Sequence, residues 1–568
     1  MITPARTGAA SPPSSGRLVR TRWPVRPTAD SVWWLVGVAA AFSLAQLVLV
    51  APHLGLSWDE VVYVSQLSIH APAANFDPAR ARGVTLLAAP VAMLTSSILA
   101  LRVYLSLLSG AGLLLALLAW RGLRPAWLLA LAGVCYASLW TAQYYGPQAM
   151  PDEWIAFSVL GAVGMFLRAG GAGQVQAVPA GPTSLVPRVL RGRRGALVGL
   201  ATCLAIAALV RPGDALYVSG ALTVAVLAVP RWRQPSLLAA VVVGFAAGAA
   251  EWVIEAYVRY GGLASRLHAA AAEQSGFGLH AGWWDELRAL DGPTLCRPCT
   301  VGLRDPVITV WWLVLPVIVV LGVLAARQAG RLASSLLAAC CGLAVAAQYL
   351  FLINYAAPRF LLPAYLLLAI PVADALGFLL ADRSGVKPGG VVLVTIALVV
   401  QVLVQQVVLD HQVGEKRAFF GSFSVVAADL HRLGVRPPCL VQGSQYIPVA
   451  FYAGCASTPS VTVIRRSRPD VRIAVLVGVG QSAPSYAARW SGHRLAGVRS
   501  PLLPTTAYLP PGQPQRPARP DRPARRLARY RRRPPVPRPG EPDRQPRPRS
   551  LTILVVSTRF LVRLALLG

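Results

Sequence analysis

The chain has 568 residues, of which 55% are hydrophobic and 14% charged, and it carries a formal net charge of +31. An ordinary soluble domain has about 25% charged residues, so a water-soluble globule is excluded. The apolar residues fall in blocks of about 17–25, the length that crosses a hydrocarbon core about 30 Å thick.

The positive charge does not point to nucleic acid. Much of it lies in an Arg- and Pro-rich stretch at 513–549, and the rest in short loops between apolar runs, as the positive-inside rule expects. No RNA-binding aromatic motif or zinc-finger spacing accompanies it.

In chain order, residues 1–30 form a basic lead that reads as cytoplasmic, and the run 32–52 reads as a retained span rather than a cleaved signal. That span delivers Asp59 and Glu60 to the outer face. Residues 84–101 are apolar but short and contain Pro90, so they are expected to lie along the interface. Counting them as a crossing would place the Arg188–Arg194 cluster outside, against the charge rule. Runs at 102–120, 126–145, 154–168, 195–210, 215–230, 236–257, 307–326, 333–354, 360–381 and 390–409 then bring the total to about eleven spans.

The predicted fold class is therefore an all-α polytopic membrane bundle over 31–410, multi-pass in the plasma membrane. A small extracytoplasmic α/β domain follows over 411–505, where short β-like runs alternate with turn signals. Residues 506–568 are a low-complexity, Arg- and Pro-rich tail that fits either a disordered segment or a shifted reading frame.

Of eight cysteines, Cys135, Cys203, Cys340 and Cys341 lie in apolar runs and read as small core residues. Cys296 and Cys299 form a CxxC, and Cys439 and Cys455 lie in a polar region. Each pair reads as a disulfide or as free thiols, because a zinc site needs four ligands and no second pair completes one.

Chemistry concentrates where the spans meet the outer face. Asp59, Glu60, Asp152 and Glu153 gather there, with Arg80, Arg82, Arg211, Arg304 and Arg359. A carboxylate can take a proton from an acceptor hydroxyl. Arginines can neutralise the phosphate of a lipid-linked leaving group. Plainer roles compete: loop polarity for Asp59 and Glu60, a helix N-terminus for Asp152 and Glu153, an interface anchor for Arg359, and a local ion pair at a turn for Arg211 and Asp214. His268 and His280 read as surface residues; Trp283 and Trp284 read as part of an aromatic belt or as a face for stacking on sugar.

The acidic Asp59-Glu60-Val61-Val62-Tyr63 after the first span resembles the DExxY-type motif of GT-C glycosyltransferases, multispan enzymes that use polyprenyl-phosphate sugars. They include the protein O-mannosyltransferases and the aminoarabinose transferases. Arg82 and the following segment to Pro90, Pro151-Asp152, and Pro358-Arg359-Phe360-Leu361-Leu362-Pro363 resemble further patches of that group, in the same order. Arg82 departs from the Lys-Pro-Pro run that some relatives carry.

The resemblance implies a sugar moved, with inversion, from a polyprenyl-phosphate donor to a glycan, lipid or protein acceptor. It makes Asp59 the general base, gives Glu60 and Asp152 the task of orienting acceptor or sugar, and puts Arg82 and Arg359 on the donor phosphate. Some branches of the group also need a divalent metal, which the residues leave open. Two other readings stand beside it. One is a transporter or flippase, with charge at mid-membrane on Glu251, Glu255 or Asp374. The other is a non-catalytic scaffold presenting the α/β domain. No Walker A loop, CxxCH or HExxH supports an ATPase, cytochrome or protease.

Overall fold

The computed structural model describes residues 31–171, 192–274, 278–300, 302–303, 305–382, 385–460, 470–495 and 502–511. All of them lie in the first of two compact units, Met1–Ala518. The basic lead, Arg188, Arg191, Arg304 and the Arg/Pro-rich tail fall outside the described residues.

The chain begins with α1 (Trp33–Leu49), α2 (Trp58–Val64), α3 (Gly83–Ala92), α4 (Ile98–Leu118), α5 (Ala126–Ala137), α6 (Trp140–Tyr145) and α7 (Asp152–Ala169). It continues through α8 (Arg193–Val210), α9 (Pro212–Ala228), α10 (Pro235–Arg259), α11 (Leu263–Glu273) and α12 (Gly282–Leu290). Then come α13 (Pro306–Gln328), α14 (Leu332–Phe351) and α15 (Leu362–Leu380), the small hairpin β1 (Ala381–Asp382) and β2 (Gly385–Val386), and α16 (Pro388–Arg432).

Seven of these helices, α4, α8, α10, α13, α14, α15 and α16, are long and apolar enough to cross a membrane. The other four crossings expected from sequence fall on α1 and α9, with 17 residues each, on α5, with 12, and on α7. α7 is long enough but carries Asp152, Glu153 and Arg168. The ten residues of α3 extend only about 15 Å at 1.5 Å per residue, half of a hydrocarbon core.

Small residues set the close contact of α8 and α10. Gly244 and Gly248 of α10 lie against α8, so close that a Cβ on them would stand 2.5 Å from the Ala201 carbonyl oxygen and 2.1 Å from that of Ala205. This is the small-xxx-small approach by which helices pack without a hydrophobic driving force between them. α7 runs through the middle of the bundle, with all its residues buried but Arg168.

The bundle ends differ in chemistry. At one end Asp374 of α15 is closed by Arg124 at 2.8 Å and Arg331 at 3.1 Å. The other end carries Asp59, Asp152 and the arginines described below.

Beyond α16 lies a five-stranded mixed sheet formed by β3 (Cys439–Gly443), β4 (Ala456–Ser457), β5 (Arg472–Gly478), β6 (Ser491–Arg494) and β7 (Pro504–Leu509), in the order β4-β3-β5-β7-β6. β3 runs parallel to β4 and β5, and β7 antiparallel to β5 and β6. α16 continues unbroken through 410–411, where the sequence places a domain boundary, so the sheet hangs from the bundle on a helix. α17 (Tyr446–Ala453), between β3 and β4, packs back on α2. There Tyr446 meets Trp58 edge-on at 5.1 Å, and the Leu56 amide donates to the Tyr452 hydroxyl at 2.9 Å.

Both cysteine pairs that lie beyond the apolar runs are disulfides, Cys296–Cys299 and Cys439–Cys455. Cys341 is buried, as expected, whereas Cys340 lies on an exposed face of α14.

Candidate active site

α2 exists because of a capping box. The Ser57 hydroxyl accepts from the Glu60 amide at 3.5 Å, and the Glu60 carboxylate accepts from the Ser57 amide at 3.0 Å. This closes a seven-residue helix whose first turn presents Asp59 on one side and drives Glu60 into the interior.

Glu60 and Arg102 of α4 are both fully buried. One Glu60 oxygen accepts from Arg102 Nη1 and from the Ala149 amide at 2.9 Å; the other accepts from Arg102 Nη2 at 2.9 Å and from Ser57. Arg102 also donates to the carbonyls of Pro147 at 2.8 Å and Gly55 at 2.5 Å. The pair therefore ties α2, α4 and the turn that launches α7 into one block, and every lone pair of Glu60 that faces the protein is engaged.

Asp59 is the partly open acid, with 28% of its side chain exposed. It accepts from Arg80 Nη2 at 2.7 Å and from Arg359 Nη2 at 3.1 Å. The Arg359 Nε also stands 3.3 Å from the second oxygen of Asp152, which opens α7 and is buried. Arg211, between α8 and α9, donates to the first oxygen of Asp152 and reaches Asp214 at 3.7 Å. Asp214 is in turn held by Gln348 at 2.7 Å and the Tyr349 hydroxyl at 2.5 Å. The ring of Phe360 lies under both guanidinium groups, 4.9 Å from Arg211 and 5.3 Å from Arg359, and adds a cation–π contact. Burial pushes the Asp59 carboxyl up, but Arg80 and then Arg359 outweigh it and hold the group at about 2.

Three sequence-selected residues, Asp59, Asp152 and Arg359, thus meet at one point, with Arg359 as the bridge. Two others are turned elsewhere. Glu60 points into the block just described. Arg82 lies over the Phe76 ring at 3.7 Å and donates to Glu255 at 2.6 Å and to Gln66 at 2.9 Å. Glu255 also pairs with Arg259 and with the fully buried Arg266. Arg266 fastens the carbonyls of Pro78 and Arg80, both at 2.9 Å, and so fixes the loop that aims Arg80. The cation beside Asp59 is therefore Arg80. The cation on Asp152 besides Arg359 is Arg211, which the sequence offers both as one of the outer-face cations and as half of a local pair with Asp214. His268 and His280 take no part in this cluster, and Trp283 and Trp284 are exposed on α12, 5.4 Å apart.

The donor set does not suit a divalent metal. Among the described residues no group of three or more His, Cys, Asp or Glu side chains is placed to hold one. Asp59 and Asp152 are each already shared between two arginines, and such a guanidinium cluster repels a dication and attracts an oxyanion.

Solved structures of two other proteins share this fold. ArnT from Cupriavidus metallidurans bound to undecaprenyl phosphate superposes with a TM-score of 0.56 at 13% identity, over 84% of this chain and 98% of that one. Its apo state gives 0.52 at 14% identity, over 84% and 97%. The oligosaccharyltransferase of Archaeoglobus fulgidus tethered to an acceptor peptide gives 0.50 at 14% identity, over 75% of this chain and 64% of that one. No family model and no curated protein matches the chain. At these identities the likeness establishes the fold, and activity has to be argued from the site.

Proposed function

We propose that the chain is a GT-C-type glycosyltransferase that moves a sugar from a polyprenyl phosphate to an acceptor hydroxyl at the outer face of the plasma membrane, with inversion at the anomeric carbon. The observation that carries this reading is the placement of Arg359, 3.1 Å from Asp59 and 3.3 Å from Asp152. A base for the acceptor and a cation for the leaving phosphate stand within one side chain of each other. The undecaprenyl phosphate in the ArnT structure supports a lipid-phosphate donor.

In this mechanism Arg359 and Arg211 hold the donor phosphate, and Asp59 takes the acceptor proton. The freed oxygen pair forms the new bond to the anomeric carbon as the bond to phosphate breaks, and the polyprenyl phosphate leaves with that electron pair. Asp152 keeps both arginines facing the donor. Glu60 and Arg82 act as positioning residues, Glu60 through Arg102 and Arg82 through Glu255.

The resting site restrains its own base. At about 2, Asp59 is ionised but weakly basic while Arg80 and Arg359 hold it. A donor phosphate competes for Arg359, and each guanidinium N–H it takes leaves Asp59 more basic. Donor binding thus prepares the proton acceptor. Of the acids on which a transporter reading rests, Asp374 and Glu255 are each paired with arginine, which favours the transferase.

The test is transfer of label from polyprenyl-phosphate sugars by the purified protein in lipid vesicles. The wild type is expected to transfer, and Arg359→Gln to raise the donor KM by about tenfold or more, the loss of one charge-assisted contact. Absence of transfer across a panel of such donors and acceptors would remove the proposal.

A further inference from the structure

The mechanism leaves two buried acids near the cluster without a task, Glu153, which accepts from the Ser109 hydroxyl at 3.1 Å, and Glu286. Glu286 sits on α12, a nine-residue helix with two unlike faces. Trp283 and Trp284 face outward, while Glu286, Leu287 and Leu290 face the protein. Only 1% of Glu286 is exposed, and neither of its carboxyl oxygens has a hydrogen-bond partner among the described residues. The Ala357 amide faces it without closing a well-formed bond. Arg359, two residues further on, and Asp152 lie close enough for their charges to act on it. The hydroxyl of Tyr365, another neighbour of Glu286, is likewise buried, with Trp312 beside it.

An unpaired buried polar group costs about 1–3 kcal/mol, and such groups are rare enough that each calls for a reason. Packing gives none here, because a Met of similar length would fill the same space without the penalty. Burial pushes the Glu286 carboxyl well above the ordinary range. In its neutral form an acid can donate its O–H to a ligand oxygen without repelling a nearby phosphate, as a carboxylate would.

We propose that Glu286 is a substrate-contacting residue that hydrogen-bonds an oxygen of the polyprenyl-phosphate sugar near Arg359. The inference rests on the transferase reading above. Phosphate and sugar oxygens offer the same chemistry, and two ligands separate them.

The experiment uses the full chain in vesicles with Glu286→Met and Glu286→Gln. It measures thermal unfolding, the donor KM, and the thermal shift produced by undecaprenyl phosphate alone and by its sugar-linked form. Glu286→Met is expected to unfold at or above the wild-type temperature and to raise the donor KM about tenfold, the equivalent of one hydrogen bond. Glu286→Gln, which still donates, should stay within about threefold of wild type.

If undecaprenyl phosphate alone stabilises the Met variant less than the wild type, the contact is to phosphate. If only the sugar-linked donor is weakened, it is to a sugar hydroxyl. A Met variant with an unchanged donor KM overturns the inference while leaving a transferring wild type intact. A Met variant that fails to fold also overturns it, because a protein partner would then be holding the carboxyl. A wild type that transfers from no donor removes the transferase reading and this inference together.

Discussion

Arg359 divides one guanidinium between two carboxylates, and the site's pH behaviour follows from that division. The Asp59 carboxyl is lowered from its ordinary 3.8 to about 2. A depressed acid contributes stability that is complete above its unfolded value and is lost as pH falls through its folded one, so Asp59 adds no pH dependence to folding between about pH 5 and 8. In the free protein the acid limb of kcat/KM that belongs to Asp59 is expected below about pH 4. Arg80→Met removes the larger opposing charge and should move that limb upward, which a pH–rate profile of the two proteins would reveal. Glu60 behaves differently, because its partner Arg102 is as deeply buried as it is. Glu60→Gln should cost about 3–5 kcal/mol of folding stability, and a Glu60→Met/Arg102→Met double substitution should recover much of it. Thermal or denaturant unfolding in detergent checks both. At this scale the sequence was half legible. Asp59, Asp152 and Arg359 could be selected because acids and arginines at span ends are few. The inward turn of Glu60 was signalled by Ser57 three residues before it, a capping spacing easily passed over beside the acidic pair. The exchange of Arg80 for Arg82 had no such signal, since both sit on an aperiodic loop whose aim is set by Arg266, nearly two hundred residues away.

Helices α8 and α10 show how far an element's packing reaches into the site. Their contact through Gly244 and Gly248 fixes the height of α10, whose final turns carry Glu255 and hence the grip on Arg82 and Arg266. Gly248→Val would drive a side chain into the Ala205 carbonyl and must separate the helices. It should lower thermal stability by about 1–3 kcal/mol, the usual cost of overpacking, and should lower transfer as well through the loop that holds Arg80. Gly389→Ala, with open space around its Cβ position, is the control expected to change neither. The number of spans was less legible than their existence. α1 and α9 have 17 residues each and α7 begins with two acids, so apolar length alone divides them differently from their positions in the bundle. Pro90 and the short apolar run around it were the readable clue that α3 is not a crossing, and the helix has ten residues.

On the scale of the whole molecule, the 45-residue α16 makes the sheet and the bundle one compact body. Composition announced a membrane bundle, and the alternating runs in 411–505 announced strands, although the first part of that range, to Arg432, is helix. The unbroken helix between them was hidden because its first half is apolar like a span and its second half is mixed, packing on α17 through Phe423 and Tyr452, whose rings lie 6.4 Å apart. α17 then returns to brace α2 through Trp58 and Leu56. A chain ended after Leu433 keeps Asp59, Asp152 and Arg359 yet loses that brace. It is expected to bind undecaprenyl phosphate more weakly and to transfer at a small fraction of the full-length rate, measured side by side in the same vesicles. The central claim is that Asp59 takes the acceptor proton while the arginines hold the donor, and it divides binding from chemistry. It is tested most directly by Asp59→Asn in the full-length protein, with undecaprenyl phosphate binding and sugar transfer measured on one preparation. The account requires binding within about threefold of wild type and transfer reduced by about 10²–10⁴-fold, the usual contribution of a general base. Transfer at the wild-type rate with binding intact would contradict it.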